Sequence, residues 1–226
     1  RLTGLLTPLP EALAEVSLTV TQRQLAMAIA AQWLSAADDE AMPVVQMLGN
    51  DGVSKQMVAA AACARVGVKL LLLDGDLVPA SASDVELLAR QWARESVLMP
   101  VAVYIDLDEA LAAPTTDSVP TGVRQFLART SGMALVGTRN ALPRCGRTHV
   151  VFEVGKPESA EQRECWQATL GAHAWPDNAV QAGVAAADSM RQQADRLASQ
   201  FNFNQWEIRR IARSCTSAAA HKSEDE

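Results

Sequence analysis

The stretch PVVQMLGNDGVSKQMVAAAACARV, residues 43–66, decides the fold. Residues 43–48 (PVVQML) form a short apolar run that stops at Gly49, the pattern of a buried strand. Residues 55–66 (KQMVAAAACARV) are alanine-rich and read as a helix ending before Gly67. Between them lie Gly49 and Gly52. Strand, glycine loop and helix, in that order, are what a phosphate-binding loop requires, because backbone N–H groups must converge where the helix begins.

The same alternation continues on either side. Residues 68–73 (VKLLLL), 101–105 (VAVYI), 133–137 (MALVG) and 149–154 (HVVFEV) are further short apolar runs, and residues 83–99 and 121–130 are helical. In the first of these helices Val85, Leu88, Trp92 and Met99 supply the apolar positions, and Trp92 is read as packing the helix onto the sheet. Runs of this kind separated by helices predict an α/β fold with a five-stranded parallel P-loop sheet flanked by helices. Ahead of it, residues 1–42 read as an extended lead-in and a helix over 21–34 that Thr21 caps, closed by the acidic turn Asp38-Asp39-Glu40. Beyond Pro157 only helices are expected, over 157–170, 179–201 and 204–218, the last capped by Asn204. The expected domains are therefore a lead-in (1–42), a nucleotide-binding subdomain (43–156) and a C-terminal helical lid (157–220).

Composition narrows the partners. A chain of 226 residues, 49% hydrophobic and 20% charged, has enough apolar content for a sizeable core. A net charge of −6 offers no basic footprint for nucleic acid. Cys63, Cys145, Cys165 and Cys215 form no Cys-x-x-Cys pair, and His149, His173 and His221 are equally scattered, so reduced structural cysteines and no metal cage are expected. The longest apolar run, residues 97–105, is interrupted by Pro100 and is far shorter than the roughly 20 residues of a membrane helix. Pro8, Pro10 and Glu11 break up any signal-peptide core, and the start without Met looks like a piece of a longer protein. A soluble, cytoplasmic chain with neither membrane nor nucleic-acid partner is the expectation.

The order of these parts over residues 43–218 resembles an AAA+ ATPase module, a five-stranded nucleotide-binding subdomain followed by a small helical lid. Against the family's phosphate loop GPPGTGKT this chain has GNDGVSKQ. Gly49, Gly52 and Lys55 match, Ser54 replaces the last glycine, and Gln56 replaces the hydroxyl residue that coordinates magnesium. The resemblance implies that Gly49, Asn50, Asp51, Gly52, Val53, Ser54, Lys55 and Gln56 line an ATP or ADP site with magnesium. Ser54 in a glycine conformation would cost on the order of 1 kcal/mol, and Asp51 would set a carboxylate near the polyphosphate.

VAVYIDLDEAL is similar to the family's Walker B strand, with Asp106 as the magnesium-associated acid and Leu107 where the water-activating Glu belongs. Asp108 shares the side of Asp106 on the strand and is a partial stand-in; alternatively Asp108 and Glu109 are the motif shifted by two residues, or solvated loop acids. MALVGTRN is similar to the sensor 1 strand, which makes Thr138 or Asn140 the polar residue beside the terminal phosphate, against a reading as turn chemistry. Arg144 and Arg147 stand where the family places arginine fingers, against a reading as solvated loop arginines. In the last helix, Arg209 and Arg210 fit a sensor role poorly and read as an exposed basic face. The whole is similar to the first, degenerate module of bacterial proteins carrying two AAA+ modules in tandem. That implies an ATP-binding module with weak or absent hydrolysis, serving ring assembly or regulation, whose partner is a further copy or a second AAA+ module in the same chain. The other reading is a scaffold that binds no nucleotide and mediates protein contacts.

Overall fold

The apolar runs over residues 44–48, 101–106 and 134–138 become central strands here because they are covered on both faces, as a parallel ladder between helices allows. The structure is a computed structural model that describes residues 4–36, 42–108, 119–142, 146–173 and 183–224. Its strands are β1 (Leu6–Pro8), β2 (Val44–Leu48), β3 (Lys69–Asp74), β4 (Val101–Asp106), β5 (Ala134–Thr138) and β6 (His149–Glu153). They form one mixed sheet in the order β1-β3-β4-β5-β2-β6. Among the described residues six strands stand where five were expected. The additional one, β1, pairs antiparallel with β3 at the sheet edge, whereas β2 to β6 pair in parallel. Its three residues, LTP, are too few to show a period of two, and Pro8 is tolerated because an edge strand can forgo an N–H.

The chain divides into two compact units, Arg1–Glu15 with Thr21–Gly155, and Val16–Val20 with Lys156–Glu226. In the first, the helices are α1 (Glu11–Ala14), α2 (Val20–Ser35), α3 (Gly52–Arg65), α4 (Ala82–Leu98) and α5 (Thr121–Arg129). Side chains that alternate along a strand serve opposite faces. Val103, Ile105 and Leu107 from β4 and its end join Val85, Leu88 and Trp92 of α4 and Val123, Phe126 and Leu127 of α5 in one core. Trp92 packs there as expected. Met99 does not: α4 ends at Leu98, the backbone of Met99 is extended, and its side chain is 48% exposed. On the opposite face Tyr104 and Asp106 lie on the side of α3.

The strand order matters for function. β5 sits between β2 and β4, so the C-terminal ends of the glycine-loop strand, the acidic strand and the Thr138 strand are neighbours. Ligands of open α/β sheets bind at the carboxyl ends of strands, where the winding direction switches.

The second unit contains α6 (Ser159–His173), α7 (Gly183–Gln200) and α8 (Gln205–Glu224). Trp166, Ala194, Ala198 and Ile208 form its core, with Phe203 against Trp166 edge to face at 6.3 Å. Asn204 caps α8 as the sequence predicts. Its Oδ1 accepts from the Glu207 N–H at 2.8 Å, and Glu207 Oε2 accepts in return from the Asn204 N–H at 2.8 Å, a reciprocal capping box. Buried Gln162 fixes the turn before α8. Its amide nitrogen donates to Pro157 O and Asn202 Oδ1, and its oxygen accepts from the Phe203 N–H. Arg209 donates to Ser17 Oγ, and Arg210 lies over the Trp206 ring, 4.9 Å from its centroid, exposed as the basic-face reading requires.

Candidate functional site around Lys55

α3 begins at Gly52, three residues earlier than the glycine-loop reading places the helix, with Asp51 at the N-cap. Gly52, Val53, Ser54 and Lys55 are therefore helical, and only Gly49, Asn50 and Asp51 connect strand to helix. Among the described glycines Gly49, Gly67 and Gly146 have positive φ; Ser54 needs no such conformation, and the strain expected there does not arise. The true constraint is Gly49. At φ +149° a Cβ would lie 2.0 Å from Val154 O, so no other residue fits.

One turn into the helix, Lys55 is fully buried, with 0% of its surface exposed. Its ammonium donates to Gly49 O at 2.9 Å, to both Asp108 oxygens at 2.7 and 2.8 Å, and to Thr138 O at 3.2 Å. An ammonium has three N–H donors. Four acceptors already exceed that capacity. The Asp108 side chain is 15% exposed, and its Oδ2 lies 3.4 Å from where a Gly52 Cβ would stand. The carboxylate thus sits between the lysine and the first turn of α3, the place a helix N-terminus and a lysine offer an anion. The loop-acid reading of Asp108 is corrected by this ion pair; Glu109 lies outside the described residues.

Asp106 is engaged too. Its Oδ1 accepts from the Asp108 N–H at 3.0 Å, and Oδ2 accepts from the Gln56 amide at 3.3 Å. Gln56 therefore turns its donor toward Asp106. Leu107 is wholly buried in the core on the other face, which leaves the water-activating position apolar. As arranged, the donors of the lysine are all engaged, the acid already receives two N–H donors, and no hydroxyl stands at position 56.

Thr138 is buried, and its hydroxyl donates to Asn140 O at 2.5 Å, the turn chemistry that was the alternative reading. Its carbonyl, rather than its hydroxyl, joins the site by accepting from Lys55 and from the Gly49 N–H. Asn50 and Asn140 are exposed. Arg147 does not face solvent as a finger or a free loop arginine. It donates through both terminal nitrogens to Thr130 O and Gly132 O, which ties the turn between α5 and β5, and burial lowers its pKa to about 10. Arg144 lies outside the described residues.

Sequence reading missed four contributors. Gln22 of α2 donates to Ser54 Oγ at 3.2 Å and to Gly155 O at 3.3 Å, bracing the start of α3. Asp74, Tyr104 and Arg139 line a cavity of about 440 Å³ together with Asp106 and Asp108. Burial, then Asp106, Asp108 and Asp51, push the Tyr104 hydroxyl pKa well above its usual value. Only the strand pairing of β3 with β4, which puts Asp74 opposite Asp106, could have announced this group.

Comparison with known proteins bears on the second unit. A family model described as the contractile injection system ATPase helical domain matches residues 158–226. That segment is ATPase-related. It covers α6, α7 and α8, the helices that follow the sheet, so the similarity points to an ATPase-like component of a contractile injection system. No curated protein matches the chain. Among the described residues no helix is long and apolar enough to cross a membrane.

Proposed function

We propose that this chain is an AAA+-like ATPase-fold module whose nucleotide site is closed by its own side chains, and that it serves assembly within a contractile injection apparatus without hydrolysing ATP. The observation that carries the reading is the Asp108 carboxylate held by Lys55 at 2.7 and 2.8 Å beside the start of α3. A phosphate entering there must displace an internal anion from a buried cation, and breaking a buried pair costs several kcal/mol. The buried Leu107 removes the group that would activate water. The proposed partner is a further copy of the chain or a second AAA+ module, in keeping with the ATPase-related helical segment.

A competing reading, a nucleotide-binding but weakly active module, is favoured by one observation. The first N–H groups of α3 have no partner inside the helix, and Lys55 stands in that same first turn. Calorimetric titration of the full chain with ATP, with and without magnesium, decides between them. The closed-site reading expects no saturable heat up to about 1 mM ATP. A dissociation constant below about 0.1 mM that is lost in Lys55→Ala overturns it.

A further inference from the structure

We infer that two copies of this chain associate by pairing the outer edges of their β6 strands, antiparallel and across a two-fold axis. β6 ends the sheet, and among the described residues no strand lies on its outer side. Its register with β2, closed at the ends by the Val44 N–H to Thr148 O and the Val154 N–H to Leu48 O, turns the backbone groups of Val150 and Phe152 toward β2. Those of His149, Val151 and Glu153 therefore point away from the sheet. Natural sheets blunt such edges with very short strands, proline or lysine. The far edge uses two of these devices, since β1 has three residues and contains Pro8, whereas HVVFE of β6 has neither proline nor lysine. No residue of β6 is buried, and Val151 is 44% exposed, while its neighbour β2 is buried from Val44 to Met47.

The occupant follows from the strand's own sequence, which is complementary to its reverse. When two copies are centred on Val151, His149 meets the partner's Glu153, Val150 meets the partner's Phe152, and Val151 meets its own copy. The first pairing sets an imidazole, which has an N–H donor in either protonation state, opposite a carboxylate. The second sets a β-branched side chain against an aromatic ring; both kinds of pair stabilise antiparallel ladders. Each occurs twice by symmetry, as an isologous contact requires. The backbone agrees with this register. Val151 exchanges both of its outward bonds with its copy, and His149 exchanges both with the partner's Glu153. Sliding one strand by two residues, the smallest step that keeps these groups bonded, sets His149 or Glu153 against Val151 and shortens the pairing.

The size of the contact sets its strength. A five-residue edge is about 17 Å long, and pairing it buries well under the roughly 800 Å² per partner of a standard interface. Association is therefore weak, with a dissociation constant on the order of 0.1 mM. The inference deepens the assembly reading by naming the surface on which a further copy docks, and it rests on that reading's choice of a further copy as partner. It involves neither Lys55 nor Asp108.

Sedimentation velocity of the full chain, from about 0.01 to 0.5 mM, is expected to show a monomer–dimer equilibrium. Val151→Pro removes an N–H that faces away from β2, so the ladder survives. It should keep the parent's circular dichroism and weaken association about ten-fold or more. Disulfide trapping reads the register independently, because opposed residues of antiparallel strands have Cα atoms about 4.5–5.5 Å apart, within reach of a disulfide. In a chain with Cys145 and Cys215 replaced by serine, oxidised glutathione should link Val151→Cys into a covalent dimer and leave Val150→Cys monomeric. A mixture of Val150→Cys and Phe152→Cys chains should cross-link. If Val151→Pro fails to fold, the trapping decides alone. A chain that stays monomeric and untrapped at about 0.5 mM overturns the inference and leaves the edge to a strand of another protein. Dimers that Val151→Pro leaves intact, or that Val150→Cys traps as readily as Val151→Cys, overturn the edge pairing while sparing assembly between copies. ATP binding that is lost in Lys55→Ala sinks only the closed site.

Discussion

Lys55 shows how one side chain can carry the sign of a whole site. In a buried pair the cost of removing one partner is the stranded charge, not the lost attraction. Lys55→Met is therefore expected to destabilise the chain by about 3 kcal/mol, and the double variant with Asp108→Asn by at least about 1 kcal/mol less than the sum of the singles. Urea unfolding of the four proteins measures both, and simple additivity would show that the pair is not a unit. Cys63 supplies a second prediction at this scale. Burial on α3 raises its pKa from 9.0 to about 12. The folded state thus prefers the neutral thiol; its contribution to stability is whole below pH 9 and drains away as pH climbs toward about 12. Tyr104 adds a loss of the same sign above its ordinary range. Stability measured at pH 8 and pH 10.5 should fall less in Cys63→Ala than in the parent. Alkylation at pH 8 should label exposed Cys215 and spare Cys63.

Among the elements, the junction of β2 with α3 is the most constrained. Gly49→Ala forces a Cβ to 2.0 Å from Val154 O at a backbone angle that side chains resist, and a loss of about 3 kcal/mol or more is expected in denaturant unfolding. Arg147→Lys should cost about 1–2 kcal/mol, since an ammonium cannot span Thr130 O and Gly132 O as the guanidinium does; full stability in that variant would remove Arg147 from the fold's support. These junctions also explain what the sequence disclosed. Runs such as VVQML and VAVYID announce strands because burial on both faces demands a mostly apolar run. The Asn204 cap was legible because capping is local in sequence. The start of α3 was not, since Gly52 and Ser54 look like loop residues until Gln22, 32 positions away, braces Ser54. Asp108 was misjudged for the same reason. Its partner lies 53 residues distant, and only the assembled sheet brings the two together.

At the scale of the molecule, the closed site makes a prediction about how stability responds to ligand. A ligand that binds only the folded state stabilises it by RT ln(1 + [L]/Kd), about 2.7 kcal/mol when its concentration is a hundred times Kd. A working nucleotide site would thus lift the melting temperature by about 5–11 °C in a chain of this size. With Lys55 saturated by Asp108, Gly49 O and Thr138 O, the parent chain should show no shift at about 1 mM Mg-ATP. Asp108→Ala removes the internal anion while keeping the lysine and the start of α3. It should melt lower than the parent, because Lys55 loses its charged partner, yet become responsive to anions. Inorganic phosphate and ATP should each raise its melting temperature, and the gain should vanish in Asp108→Ala combined with Lys55→Met. A parent chain that shifts as strongly as the variant would mean that Asp108 yields to phosphate unaided, and the ion pair would then be a resting contact, not a closure.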